Sequence, residues 1–285
     1  MGIMQIVQTI AQLRAELKTM RAGGKTVGFV PTMGYLHDGH LSLVQKARQE
    51  NDIVVVSVFV NPTQFGPNED LDAYPRDAER DLSLLRAGGT DIAFFPAVDE
   101  LYPPGFTTYI TVEGPMTQTL CGRSRPTHFR GVATVVSKLF NMVGPDRAYF
   151  GQKDAQQVAV IEQMVRDLNF DIEIVACPTV REPDGLAMSS RNTYLSQTHR
   201  AQAPLISQAL FGARDLVEKG ERHSAVVVDY LKTNIQRIDG AEIDYVSIAD
   251  SRSLSDLDIL KGDVLIAVAV KLGRTRLIDN IRIKV

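Results

Sequence analysis

Apolar residues recur along this chain of 285 residues in two different periods, and the alternation between those periods organises everything up to Arg181. Ile6, Ile10, Leu13, Leu17 and Met20 are spaced by three or four, which predicts an amphipathic helix closing near the Gly23-Gly24 pair. The period then changes. Residues 26–30 form a short apolar run closed by Pro31, and residues 53–60 a longer one; both read as strands buried on both faces. Between them Leu41, Val44 and Ala47 share one helical face, so the order is strand, turn, helix, strand, the βαβ unit of a parallel sheet. Helices are expected over 78–86, 132–142 and 155–168, with strands over 92–95, 148–150 and 171–175. This is the pattern of a doubly wound, Rossmann-like α/β domain. Beyond Arg181, helical stretches at 201–219 and 225–238 precede strand-like runs at 243–248, 264–270 and 277–283, which predicts a smaller α+β domain. The expected division is 1–181 and 182–285, and no internal repeat is evident.

Composition narrows the class of protein. A hydrophobic share of 44% supports a sizeable core, and a formal net charge of −3 offers no global basic field to attract a nucleic acid. Cys121 and Cys177 are isolated, outside any CxxC pair, and are expected as buried, reduced thiols. The first twenty positions mix Gln8, Gln12, Arg14, Glu16 and Lys18 among apolar residues, unlike a signal peptide, and no apolar run approaches the ~20 residues needed to span a bilayer. These features predict a cytoplasmic protein in a reducing compartment, with neither nucleic acid nor membrane as partner.

Two glycine-rich readings fail. Arg21-Ala-Gly-Gly-Lys-Thr26 has Thr19 where a phosphate-binding P-loop needs its first glycine, and it leads from a helix into a strand rather than the reverse. No GxGxxG comes after the first predicted strand of the βαβ unit. That strand runs instead into the segment Pro31-Thr-Met-Gly-Tyr-Leu-His-Asp-Gly-His40, which opens directly into the next helix. Ligands of an open parallel sheet bind beyond the carboxyl ends of its strands, where a helix N-terminus presents unpaired N–H groups to phosphate. His37 and His40, three apart, can both point hydrogen-bond donors toward a triphosphate, and Gly39 leaves room for an adenine ring.

The His-x-Gly-His pattern resembles the signature of the nucleotidyltransferase superfamily, whose members carry a downstream Met-Ser-Lys-Ser loop; Met188-Ser-Ser-Arg191 stands in the corresponding place. Four further segments narrow the likeness: Val60-Asn-Pro-Thr-Gln-Phe65, Arg125-Pro-Thr-His-Phe-Arg-Gly131, Gly151-Gln-Lys-Asp-Ala-Gln-Gln157 and Asp184-Gly-Leu-Ala-Met-Ser-Ser-Arg-Asn192. With Leu277-Ile-Asp-Asn280 they make the chain similar, over essentially its whole length, to the pantothenate synthetase (pantoate–β-alanine ligase) family. The resemblance implies a nucleotidyltransferase domain followed by a lid domain, usually in a cytoplasmic homodimer. It also implies ATP and magnesium as requirements and a condensation of pantoate with β-alanine through an adenylate.

The resemblance implies roles residue by residue. Met33, Gly34, Tyr35, Leu36, His37, Asp38, Gly39 and His40 would form the first ATP-binding segment, with His40 answering charge as pyrophosphate leaves. Gly151, Gln152, Lys153 and Asp154 would form the second, Lys153 as a cation for phosphate and Asp154 as an acceptor for ribose. Val180 would offer backbone groups to adenine, and Met188, Ser189, Ser190 and Arg191 would close over the phosphates. Gln64 and Gln157 would bind pantoate or β-alanine beside Met33, with Asn61 supporting the same wall. Arg125, His128 and Tyr74 receive no role, and no residue is singled out as a metal ligand. Gln152, Thr63 and Thr127 depart from the family's commoner Glu, Met and Gly. On the histidine motif alone two other functions stay open: an adenylyltransferase acting on a phosphorylated acceptor, and an inactive nucleotide-binding regulator.

Overall fold

The computed structural model describes residues 3–67 and 69–285. Elements run in the order β1 Gln5–Val7, α1 Ile10–Met20, β2 Val27–Thr32, α2 Asp38–Glu50, β3 Ile53–Val58, α3 Ala78–Ala87, β4 Ile92–Phe94 and α4 Val98–Leu101. Then come α5 Cys121–Ser124, α6 His128–Val143, β5 Arg147–Gly151, α7 Ala155–Asp167, β6 Glu173–Cys177, α8 Gln197–Gln202, α9 Pro204–Glu218 and α10 Ser224–Ile235. Strands β7 Ala241–Asp250, β8 Asp263–Leu272 and β9 Thr275–Lys284 complete the chain. Two units result, one of Met1–Val112, Thr127–Gln152 and Val160–Pro178, the other of Glu113–Pro126, Lys153–Ala159 and Thr179–Val285.

The first unit holds a parallel sheet in the order β1-β4-β3-β2-β5-β6. From β2 the chain winds outward through β3 and β4, then returns to place β5 on the other side of β2. The reversal between β2 and β5 is the topological switch point, so the crevice beyond their carboxyl ends is where such a sheet takes its ligand. Val30, Val54, Val56, Ala93 and Tyr149 pack with Leu43, Val44 and Ala47 of α2, as expected for strands covered on both faces.

Three local readings need correction. Ile6 is not helical but lies in β1, because Thr9 Oγ1 accepts from Gln12 N while Gln12 Oε1 accepts from Thr9 N, a capping box that starts α1 at Ile10. Pro31 does not close β2 but lies inside it. Val27 O accepts from Asp146 N on the β5 side, whereas Thr26 O and Thr32 O accept from Ile53 N and Phe59 N on the β3 side, so alternation turns the Pro31 nitrogen toward β5. The pairing with β5 ends at Phe29, and no ladder bond is lost. The helix expected over 201–219 is two helices, broken where Pro204 opens α9.

In the second unit β7, β8 and β9 form an antiparallel sheet. Val268, Val270, Leu272 and Leu277 on one of its faces pack with Ala209, Leu210 and Ala213 of α9 and Leu231 and Ile235 of α10. On the opposite face Arg276 Nη2 donates to Cys121 Sγ at 3.5 Å and Asn280 Nδ2 to Lys153 O at 2.9 Å, so two segments from earlier in the chain rest there. Cys121 and Cys177 are both buried and free.

Candidate active site

In the first unit, the segment from Met33 to His37 joins β2 to α2 at the switch point. Gly34 at φ +83° and Tyr35 at φ 49° reverse the chain there. A Cβ on Gly34 would come within 2.9 Å of Val58 Cγ1 and 3.0 Å of Asp81 Oδ2, so only glycine fits. His37 is the N-cap of α2. Its Nδ1 accepts from Gly39 N at 3.1 Å, and His40 Nδ1 accepts in return from His37 N at 3.3 Å. The two rings lie 4.1 Å apart between centroids. An imidazole nitrogen that accepts a backbone N–H carries no proton, so each neutral ring carries its proton on Nε2. The capping box therefore makes both histidines Nε2–H donors at a helix N-terminus. Asp38, exposed in the first turn of α2, complements the same helix dipole.

Asp81 of α3, which sequence reasoning did not single out, holds this turn. Its Oδ2 accepts from Tyr35 N at 2.8 Å and its Oδ1 from Leu36 N at 2.7 Å. The side chain is 1% exposed, and burial pushes its carboxyl pKa up against the two backbone bonds that act to lower it. The signal was present: Asp81 stands one turn before Leu85 on the buried stripe of α3, where an apolar residue is the norm.

The residues proposed for the acyl substrate are tied together by the turn Pro62–Gln64. Asn61, 1% exposed, caps it: its Oδ1 accepts from Thr63 Oγ1 at 2.9 Å and Tyr102 Oη at 2.8 Å, and its Nδ2 donates to Gln64 Oε1 and Gly131 O, each at 3.2 Å. Gln64 Nε2 in turn donates to Met33 Sδ at 2.8 Å. Asn61 thus acts on Gln64 rather than outward, and Thr63, one of the departures from the family pattern, spends its hydroxyl within the same cluster. His128 bonds Gln64 O through Nδ1 at 2.9 Å; facing a carbonyl, that nitrogen is the donor. Tyr74, 6% exposed, packs edge-on against Phe65 at 5.9 Å. A Cβ on Gly131 would lie 2.3 Å from Thr63 O. Gly131→Ala should therefore displace the Gln64 turn, costing about 1–3 kcal/mol, a loss that thermal melts check.

Gly151 ends β5, and a Cβ there would meet no atom within 4 Å, so protein packing does not explain the glycine. Gln152, Lys153 and Asp154 form one tight turn leading into α7, all partly exposed. In the second unit, Gln156 is 6% exposed and wholly structural, its Oε1 accepting from Cys121 N and its Nε2 donating to Met116 O and Thr119 O. Gln157, about 100° further round the helix, is the partly exposed one. Arg125 N donates to Cys121 O.

Residues 180–188 form a hairpin in the second unit. Arg181 bridges Ala187, Met188 N donates to Val180 O at 3.0 Å, and Gly185 turns the chain at φ +94°. The Val180 carbonyl thus accepts one bond inside the hairpin. The hairpin delivers Ser189, whose Oγ accepts from Arg191 N at 3.3 Å and caps the turn Ser190–Tyr194. Ser190 is 7% exposed, and Asn192 Nδ2 ties the turn back to Glu182 Oε1 at 2.8 Å. Among the described residues no group of three His, Cys, Asp or Glu is placed to hold a metal ion, and no helix is long and apolar enough to cross a membrane.

Comparison with known proteins shows the family to which the chain belongs. The family model described as Pantoate-beta-alanine ligase matches residues 5–282. A pantothenate synthetase of Acetivibrio thermocellus is 56% identical over 282 residues, covering 99% of this chain and all of the relative, and one of Thermotoga petrophila is 56% identical over 277, covering 97% of this chain and 99% of the relative. Among solved structures, pantothenate synthetase from Thermus thermophilus superposes with a TM-score of 0.93 at 49% identity, covering 98% of this chain and 99% of that one. A pantoate-beta-alanine ligase from Francisella tularensis, solved with beta-gamma ATP and β-alanine, gives 0.80 at 35% identity, covering 98% and 97%. With a family model spanning nearly its whole length and relatives above half identity, the chain belongs to the pantoate-beta-alanine ligase family.

Proposed function

We propose that this chain condenses (R)-pantoate with β-alanine at the expense of ATP, through a pantoyl-adenylate, to give pantothenate, AMP and pyrophosphate. Family membership supports the overall reaction, and the Francisella relative's ligands, beta-gamma ATP and β-alanine, fit it. The observation that carries the adenylating step is the reciprocal cap of His37 and His40, which makes two Nε2–H donors at the α2 N-terminus.

The chemistry requires activation first, because an amine does not expel oxide from an ionised carboxylate. A pantoate carboxylate oxygen attacks the α-phosphorus in line; the bond from that phosphorus to the bridging oxygen breaks and pyrophosphate leaves. His37, His40, Lys153, Ser189, Ser190 and Arg191 are assigned to the charge developing on it. The β-alanine amine then attacks the acyl carbon, loses a proton, and AMP departs with the former carboxylate oxygen. Asp154 is assigned to ribose and the backbone groups of Val180 to adenine. Met33 to Leu36, Asp38, Gly39, Gly151, Gln152 and Met188 complete the nucleotide's surroundings. Gln64, Gln157 and Met33 are assigned to pantoate and β-alanine, with Asn61 acting through Gln64. Residues 1–181 are assigned to nucleotide and pantoate binding and residues 182–285 to the lid, with Glu113–Pro126 and Lys153–Ala159 clustering with the C-terminal unit. Magnesium enters as part of the substrate, since an ion chelated by phosphate oxygens needs only one or two protein ligands. The protein works in the cytoplasm as a homodimer.

Enzyme with MgATP and pantoate but no β-alanine should release about one equivalent of pyrophosphate per site and retain the adenylate; added β-alanine should discharge it. With pantoate labelled by heavy oxygen in its carboxylate, one labelled atom should appear in AMP. Formation of ADP, or unlabelled AMP alongside pantothenate, excludes the mechanism.

A further inference from the structure

Asp279-Asn280 belongs to a segment that carries the family resemblance, yet the chemistry above uses neither residue. The pair sits on β9, an outer strand of its sheet, and is nevertheless almost sealed, Asp279 at 4% and Asn280 at 5% exposed. A carboxylate and an amide so deeply placed need partners, because apolar residues would fill a strand core at less cost. Consecutive strand residues face opposite sides of the sheet. Asp279 stands in the row of Val268 and Val246 on the side of α9 and α10, and Asn280 in the row of Ala267 and Ser247 on the other.

Each face leads to a different part of the phosphate grip. On the helical side Asp279 accepts a bidentate pair from Arg181, Nη1 at 2.6 Å and Nη2 at 3.0 Å, while Arg181 Nη1 also donates to Gly185 O at 3.1 Å. Arg181 and Gly185 belong to the hairpin that delivers Ser189, Ser190 and Arg191. On the opposite side Asn280 Nδ2 holds Lys153 O at 2.9 Å, fixing the turn that carries the Lys153 ammonium. Asp279 Oδ1 further accepts from Asn280 N at 2.7 Å, locking the two residues together.

We propose that Asp279-Asn280 is a positioning element that sets the Lys153 turn and the hairpin bearing Ser189 to Arg191 in fixed register, so that both act on the same phosphates. This rests on the assignment of Lys153, Ser189, Ser190 and Arg191 to the departing pyrophosphate. Asp279 and Asn280 act only through those groups.

Two half-reactions separate positioning from folding. Pantoate-dependent exchange of labelled pyrophosphate into ATP reads the step that needs the grip; discharge of presynthesised pantoyl-adenylate by β-alanine reads the step that does not. Asn280→Ala and Asp279→Asn are expected to lower exchange at least ~10-fold and leave discharge within about twofold, as small misplacements of reacting groups do. Should Asp279→Asn fail to fold, Asn280→Ala still decides the matter, because it removes a donor without stranding a buried charge. Exchange at the wild-type rate in the folded variants, or equal loss of both half-reactions, overturns the proposal. Lys153→Ala is the control for the underlying assignment: exchange intact in that variant defeats the phosphate reading and the proposal with it, whereas loss there with normal exchange in Asn280→Ala defeats the positioning role alone.

Discussion

Replacing His40 with glutamine should leave the protein folded and stable yet reduce adenylation by at least ~100-fold, the scale of removing a positioned donor at developing charge. Glutamine is the reference partner at this position of a capping box, so its Oε1 can still accept from His37 N and the start of α2 is preserved. What it lacks is a rigid ring that turns an N–H outward because its other nitrogen is occupied. His40→Ala removes both functions and should lose about 1 kcal/mol more stability than His40→Gln while losing activity to a similar degree. Pyrophosphate release under saturating substrates, measured beside thermal melts, distinguishes the two effects. Wild-type turnover in His40→Gln would remove His40 from the mechanism.

Asp81→Asn should also separate stability from activity, by a different route. The wild-type carboxylate is buried, and its pKa is raised because burial outweighs the bonds from Tyr35 N and Leu36 N. Its ionised form is thus held at a cost to stability near neutral pH. Asparagine relieves that cost but turns an NH2 group toward a backbone donor, an unsatisfied pair worth ~1–3 kcal/mol in the other direction. Net stability should therefore move little, while the turn carrying His37 loses one of its two anchors. We expect kcat/KM for ATP to fall ~30–100-fold, since an error of about 1 Å in placing reacting groups costs that much, with KM for β-alanine unchanged. The pH dependence has a definite sign. The folded pKa lies above the unfolded value, so the native state gains a proton first on acidification and the wild type recovers stability relative to Asp81→Asn. That recovery falls between the raised folded pKa and the ordinary carboxylate value of about 3.9. If the difference in stability between wild type and Asp81→Asn stays constant as the pH falls, burial does not raise the Asp81 pKa in the fold.

Neither experiment could have been designed without the structure, although much of the protein was legible beforehand. The period of apolar residues sufficed for the central strands and for α2, because β2, β3 and β4 are covered on both faces and α2 on one, and burial leaves that imprint directly on residue type. The His-x-Gly-His segment was legible for a related reason: backbone reversal and helix capping are local, and the residues that perform them are adjacent in the chain. Three-residue β1 left no such imprint, since only Val7 of its residues is buried. Ile6 consequently fell into the period of the following helix, where a capping box, not hydrophobicity, sets the boundary.

Tertiary structure alone decided which side chains hold the reactive ones. Asp81 reaches back across 45 and 46 positions to Leu36 and Tyr35, Gly131 lies beneath Thr63, and Asn280 holds Lys153 from 127 positions away. Each is a polar group or a missing Cβ whose purpose lies on another element, so no periodicity within its own segment records it. The grouping of Glu113–Pro126 and Lys153–Ala159 with the C-terminal sheet is of the same kind. Local chemistry determines which residues can cap, turn or donate; whether such a residue is held where its chemistry counts depends on contacts made only when distant segments pack.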